Sequence, residues 1–304
     1  MSRSRLLLLC PGQGDQHPDM FTLARTDPAA AALIDTQLAT QPNTDNADIY
    51  ANRTAQPLIV TATLGMWQAI RDFAPPPALV AGYSIGELSA HSVAGAIQPE
   101  TAVALAARRA QLMDNCQRSR PGQALLTITG MSLSSASMLA ASHGYEISIE
   151  TGEDSCIVGG PAARAGELQQ AVEAAGARSK RLPVEVASHT GYMQDAVAPF
   201  AAALQAANFH AARAPVLAGI DANPVTDKLR AIETLSQQLV QKIRWLACMD
   251  AAAEAGITVA LELGPGNALA RMLQNRQPHI NTRSVADFRT LDGIRRWLER
   301  ATED

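Results

Sequence analysis

The pentapeptide Gly82-Tyr83-Ser84-Ile85-Gly86 constrains this chain more than any other stretch. Before it, Ala78-Leu79-Val80-Ala81-Gly82 reads as a short buried strand, and a helical segment follows it. A serine between glycines at a strand-to-helix turn has the context of a nucleophile elbow. The turn is so tight that side chains at the glycine positions would clash. The serine is thereby held at a helix N-terminus, facing backbone N–H groups that suit an oxyanion. An ordinary βα turn with an incidental serine is the competing explanation, and the strand–helix context weighs against it. Either way, this part of the chain is committed to an α/β arrangement.

Its surroundings extend that pattern. Leu6-Leu7-Leu8-Leu9-Cys10 reads as a buried strand, and Pro11-Gly12-Gln13-Gly14-Asp15-Gln16 follows at its carboxyl end, where α/β sheets present ligand sites. The spacing is wrong for a phosphate loop, and no Lys-Ser/Thr follows. Helical periodicity predicts helices over 58–73, closed by Pro75-Pro76-Pro77, and over 99–116. Strands joined through helices imply a largely parallel sheet covered on both faces. Leu263-Gly264-Pro265-Gly266, after the apolar strand 259–263, reads as a structural turn.

The middle of the chain differs. Strands are predicted over 123–129, 145–150 and 155–159, with a turn at Gly152-Glu153-Asp154, and helices over 133–143 and 164–175. Residues 177–186 read as extended. The order β-α-β-β-α-β is that of a ferredoxin-like unit. The expected fold is therefore α/β, with one domain formed by residues 1–122 and 187–304 and a small domain, 123–186, inserted into it.

Composition removes several alternatives. With 29 acidic against 25 basic residues and a net charge of -4, the chain does not suit nucleic-acid coating. Apolar runs such as 6–10 fall far short of the roughly 20 residues that span a bilayer. Cys10, Cys116, Cys156 and Cys248 are scattered, without a Cys-x-x-Cys, so no metal site is expected. With no signal peptide recognised, they are read as buried thiols of a cytoplasmic protein. The 22 arginines among the 25 basic residues and the 57 alanines read as compositional bias.

A nucleophilic serine needs a base. His91 lies seven residues after Ser84 on the same predicted helix, roughly 10 Å along its axis, and cannot reach it. His17, His143, His210 and His279 have no motif around them. His189 follows the last extended segment of the inserted unit, where the chain re-enters the main domain, and that position favours it. In the helix 99–116, Arg108 is expected to be solvated. Arg109 is expected to point inward, a placement that a negatively charged acyl group would explain.

With these residues in view, the sequence resembles the malonyl-CoA:acyl carrier protein transacylase family nearly end to end. The resemblance is carried by Pro11-Gly12-Gln13-Gly14 with Gln16, Gly82-x-Ser84-x-Gly86-Glu87 and Val93-Ala94-Gly95-Ala96. It continues through Arg109-x-x-x-Met113, Ser188-His189 with Met193, Gln238 with Trp245, and Glu262-x-Gly264-Pro265-Gly266. It implies an α/β-hydrolase-like parallel-sheet domain carrying a ferredoxin-like insert. It also implies that Ser84 attacks the thioester of malonyl-CoA, with His189 as base, oriented by the backbone carbonyl of Gln238. The N–H groups of Gln13 and Ile85 would hold the oxyanion, and Arg109 would clamp the malonyl carboxylate. No tightly bound cofactor is implied. The acceptor would be the phosphopantetheine-type thiol arm of an acidic acyl carrier protein that docks transiently on a basic patch. Arg178-Ser179-Lys180-Arg181 and the arginines from Arg271 to Arg300 are the candidates for that patch.

Two segments depart from the family pattern. Tyr83 stands where histidine is common, and Val186-Ala187-Ser188-His189 replaces the usual Ala-Phe-His or Pro-Ser-His. In related polyketide acyltransferases a similar Ala-Ser-His accompanies methylmalonyl selection. Together the two segments resemble the transacylase (epsilon) subunit of bacterial malonate decarboxylase, which works beside other subunits of that system. That is the expected branch, with the transacylase of fatty-acid or polyketide synthesis as the alternative. A serine esterase would need an acid and then a late histidine, and only His279 is late. An inactive scaffold would have no reason to keep Ser84, His189, Arg109 and Gln13 together.

Overall fold

The computed structural model describes residues 4–41 and 48–303. Its elements follow in chain order: β1 (Leu6–Cys10), α1 (Pro28–Ala39), α2 (Asn52–Ile70), β2 (Leu79–Gly82), α3 (Gly86–Val93) and α4 (Pro99–Ser119). Next come β3 (Gln123–Thr129), α5 (Leu133–Ser142), β4 (Glu146–Gly152), β5 (Ser155–Pro161), α6 (Ala165–Ala174) and β6 (Arg178–Arg181). The chain ends with α7 (Gln194–Ala206), β7 (Val216–Leu217), β8 (Pro224–Val225), α8 (Lys228–Gln237), α9 (Trp245–Glu254), β9 (Val259–Glu262), α10 (Ala268–Arg276), β10 (Asn281–Ser284) and α11 (Leu291–Thr302).

Among the described residues the strands form two sheets. The larger, in the order β10-β9-β1-β2-β7-β8, is parallel except where β8 runs antiparallel to β7. Side chains alternate across a strand. Accordingly Leu6, Leu8 and Cys10 join one apolar cluster with α2, α3, α4 and α7, while Leu7 and Leu9 join another with α9 and α10. Burial on both faces is why β1 is an uninterrupted apolar run. Because β1, β2 and β9 are parallel and adjacent, the loops leaving their carboxyl ends share one edge of the sheet.

The smaller sheet, β4-β5-β3-β6, is antiparallel throughout. Its strands and helices follow one another as β-α-β-β-α-β. One face packs on α5 and α6 through Leu126, Ile128, Val158, Leu168 and Val172. Ile149 and Ile157 on β4 and β5 reach instead into the cluster under α9. There β4 is stitched to the main body, for Ile243 N–H donates to Ser148 O (2.9 Å) and Glu150 N–H donates to Ile243 O (2.8 Å).

Two boundaries differ from the sequence expectation. α2 begins at Asn52, ahead of Pro57, which looks like a helix breaker. That proline falls in the first two turns, where its missing N–H removes a single helical bond. β6 stops at Arg181, because residues 182–188 leave the sheet to enter the seam between the two sheets.

Candidate active site

β1 and β2 end level, with Cys10 paired to Gly82, so the loop after β1 and the turn after β2 must nest. Tyr83 N–H donates to Cys10 O at 3.0 Å. A Cβ on Gly86 would overlap the carbonyls of Cys10 and Pro11, and one on Gly82 would overlap the backbone of Gly86 and Glu87. Gly12 is similarly close to the Tyr83 carbonyl, 2.8 Å from where its Cβ would stand. With its neighbours so placed, Ser84 is forced to φ 55°, a left-handed backbone that non-glycine residues seldom adopt. Gly264 lies against the Pro11 ring, and Gly266 (φ 79°) lies against Asp15, so the turn after β9 braces this loop. Among the described residues, neither Gln13 N–H nor Ile85 N–H donates to another protein group.

His189 comes from the seam. Its Nε2 lies 2.8 Å from Ser84 Oγ, and its Nδ1 lies 2.5 Å from the carbonyl oxygen of Gln238. A carbonyl only accepts, so Nδ1 carries the proton and Nε2 is left to accept from the serine hydroxyl. The ring is buried, and the backbone N–H of His189 donates to Leu239 O at 2.9 Å. Two strands of the smaller sheet hold this segment. Ser148 Oγ–H on β4 donates to Ser188 O (2.8 Å), and Ala187 N–H donates to Gln123 Oε1 on β3 (2.8 Å). Like Ser84, His189 has a left-handed backbone, φ 61°. Burial, and then the nearby Arg109 charge, push its pKa down to about 3 against the weaker lift from the Gln238 carbonyl. The imidazole is therefore neutral and basic at Nε2 across the physiological range.

Arg109 is 2% exposed, whereas its neighbour Arg108 is exposed. Its Nη1 donates to Gln56 Oε1 (2.9 Å) and its Nη2 to Gln238 Oε1 (3.2 Å), with Ser84 Oγ at 3.5 Å. Gln238 Nε2 donates in turn to Glu87 Oε2 (2.6 Å), which also accepts from Gly219 N–H (2.9 Å). Only one orientation of the Gln238 amide serves both neighbours, since guanidinium can only donate and carboxylate can only accept. Gln238 therefore does two jobs: its carbonyl orients His189, and its side chain separates a buried cation from a buried anion. Burial raises Glu87 to about 7 and lowers Arg109 to about 10. The guanidinium keeps N–H donors beyond those spent on Gln56, Gln238 and Ser84, available to an incoming carboxylate.

Ser84, His189, Arg109 and Gln238 thus come together in one place. Gln13 lines a cleft of about 1040 Å³ that runs between the two sheets, with Asn52 and Val186. Asn52 Oδ1 accepts from Gln56 Nε2 (2.7 Å), the same amide that accepts from Arg109, and Val186 lies three residues before His189. His91 is buried against Phe209 and faces a different part of the core. The sequence reading missed Gln56, gave Glu87 no role, and used only the backbone of Gln238. Gln56 and Glu87 each interrupt an apolar helical run, which is the one signal that marked them. All four cysteines are buried free thiols. Among the described residues, no group of His, Cys, Asp and Glu could hold a metal, and no helix is long and apolar enough to cross a membrane.

The family described as acyl transferase domain matches residues 7–287. The malonyl CoA-acyl carrier protein transacylase of Mycobacterium tuberculosis is 32% identical over 95% of this chain and 99% of its own length. The solved structure of the malonyl CoA-acyl carrier protein transacylase from Coxiella burnetii is similar at a TM-score of 0.91 and 23% identity, covering 99% of both chains. A type II polyketide acyl-carrier protein has been solved in complex with its malonyl-transacylase. This chain covers 98% of the matched chain of that structure with 95% of its own length, at a TM-score of 0.88 and 24% identity. At these identities the two structures show the fold alone.

Proposed function

The chain belongs to the acyl transferase domain family, and from that premise we infer that it moves a malonyl group from malonyl-CoA to the thiol of an acyl carrier protein. It is a malonyl-CoA:acyl carrier protein S-malonyltransferase of the kind that serves fatty-acid or polyketide synthesis. The observation that carries the chemistry is the Ser84 Oγ to His189 Nε2 distance of 2.8 Å with Arg109 beside it.

In our reading, His189 Nε2 takes the Ser84 proton as Oγ bonds to the thioester carbonyl carbon. The oxyanion is held by the N–H groups of Gln13 and Ile85. The C–S bond then breaks, the proton passes from Nε2 to the leaving sulfur, and free CoA departs. The second half runs the same steps backward, with the carrier thiol as nucleophile and Ser84 as leaving group. Arg109 receives the free malonyl carboxylate, which offsets a buried charge that has only neutral oxygens as direct partners. An acetyl group leaves that charge unmet, so selectivity follows from the same contact. We read residues 123–186 as a ferredoxin-like insert in an α/β-hydrolase-like domain, on the strength of the β-α-β-β-α-β order and the parallel larger sheet.

The narrower expectation, a transacylase of malonate decarboxylation, rests on Tyr83 and on Ala187-Ser188-His189. We keep it as the second reading because the half-buried Tyr83 packs edge-on against Trp245, ring centroids 5.2 Å apart, next to Ser84. Intact-mass analysis after mixing with malonyl-CoA tests the main proposal. Wild type gains one malonyl group and Ser84→Ala gains none. A label that survives Ser84→Ala, or none on wild type, ends it.

A further inference from the structure

The cleft lined by Gln13 has unequal walls. One comes from the start of α2 and the end of α4. The other comes from β6 and the segment that follows, including Lys180, Arg181, Leu182 and Val184. β6 is an edge strand of the small sheet, paired on one side by β3. Arg178, Lys180 and Arg181 on it are all exposed, and among the described residues none takes part in a salt bridge. Glu173 stands beside Arg178 and Lys180, and Glu185 lies further along the cleft, so the strand keeps a local positive balance in a chain of net charge -4.

The rival basic segment is mostly engaged within the chain, and its exposed Arg271, Arg289 and Arg300, which take part in no salt bridge among the described residues, lie outside the cleft. Arg276 is engaged by Asp250 and Glu153, Arg283 by Asp287, and Arg296 by Asp292. Arg295 lies over the Phe73 ring at 4.7 Å. None of these lines the cleft. A cation already paired within its own chain adds little to the field that a partner meets, whereas unpaired cations steer and orient an acidic partner.

We propose that β6, through Arg178, Lys180 and Arg181, is the docking surface for the acidic face of the acyl carrier protein. The inference rests on the malonyl-transfer reading above and names the partner surface of that same site. A carrier seated on β6 has its thiol arm at the outer end of the cleft. The arm then runs inward past Leu182, Val184 and Val186 to Ser84.

The test separates the two half-reactions in the variant Arg178→Glu/Lys180→Glu/Arg181→Glu. The acceptors are the holo acyl carrier protein of bacterial fatty-acid synthesis and free pantetheine, which offers the same thiol without an acidic surface. Transfer from malonyl-enzyme to the carrier is expected to fall about tenfold or more at low salt. Added salt should slow the parent but not the variant. Acylation by malonyl-CoA and transfer to pantetheine should stay within about twofold, as should every step in Arg295→Glu/Arg300→Glu. If the triple variant does not fold, Lys180→Glu carries the same comparison with about a threefold loss. Unchanged carrier transfer overturns the proposal and leaves the charges as guards of a sheet edge. A raised KM for malonyl-CoA with normal carrier transfer overturns it too, assigning the cations to CoA phosphates. Failure of the parent to form any malonyl-enzyme sinks the transfer reading, and this surface with it.

Discussion

Ser84 and His189 share a left-handed backbone, φ 55° and 61°, but the two turns are held in different ways. The Ser84 turn is shaped within five residues. Gly82 and Gly86 remove the atoms that would collide, and β1 and β2 fix the ends. The His189 turn has no glycine before it and is held from outside by Leu239 O, Gln238 O, Ser148 Oγ and Gln123 Oε1. A left-handed non-glycine residue costs about 1–2 kcal/mol. In the first turn, close backbone packing offsets that cost; in the second, long-range hydrogen bonds do. The proposed nucleophile is therefore rigid by construction, while the proposed base depends on how the small sheet meets the segment that follows α8.

The sharpest way to break this contrast is Gly86→Ala. Its methyl would enter the carbonyl oxygens of Cys10 and Pro11, backbone atoms that no rotamer change can move aside. We expect a stability loss of about 3 kcal/mol or more in urea unfolding, with most of the protein insoluble on expression. An unchanged unfolding midpoint would mean that the elbow is not held by that nesting.

The next largest effect concerns charge, which only the base feels through its titration. Arg109→Gln removes the cation that would meet the malonyl carboxylate, so the malonyl-over-acetyl ratio of kcat/KM should drop about 100-fold, a charge-assisted hydrogen bond being worth about 2–3 kcal/mol. It also removes one of the two causes that hold His189 at about 3. A positive neighbour disfavours imidazolium, so losing it raises the pKa. The low-pH limb of acetyl-CoA acylation should accordingly move to higher pH. A ratio that stays the same would move the carboxylate clamp to another residue, and a fixed limb would deny Arg109 its influence on the base.

The same contrast explains what could be read from the chain beforehand. The elbow was legible because its causes are consecutive, and the small antiparallel sheet was legible because its elements alternate in a recognisable order. His189 was found by position alone, just after the last strand of that sheet. The polar network behind Arg109 was not legible. Gln56, Gln238 and Glu87 meet across separations of 53, 129 and 151 residues, and local pattern does not encode which buried polar groups will pair at such distances. The start of α2 was hidden by Pro57 for a related reason. Its placement in the first two turns is offset by burial of the helix from Ala55 to Met66, where packing outweighs propensity.

The smallest expected effect bears most directly on the second turn. Ser148 belongs to β4, yet its hydroxyl donates to the carbonyl immediately before His189. Ser148→Ala removes that bond and leaves the Ser188 carbonyl short of a partner, at a cost of about 1 kcal/mol. Leu239 O would still hold the His189 backbone and Gln238 O its ring, so the histidine should loosen without leaving the site. Acylation should then slow about fivefold through kcat, because the base is less well aligned, while KM for malonyl-CoA stays put because Arg109 and the cleft are untouched. Stopped-flow measurement of malonyl-enzyme formation over a range of malonyl-CoA concentrations separates the two parameters. A change in KM alone would place Ser148 in substrate binding. No change in either would mean that the main domain holds the base by itself, and that β4 only covers it.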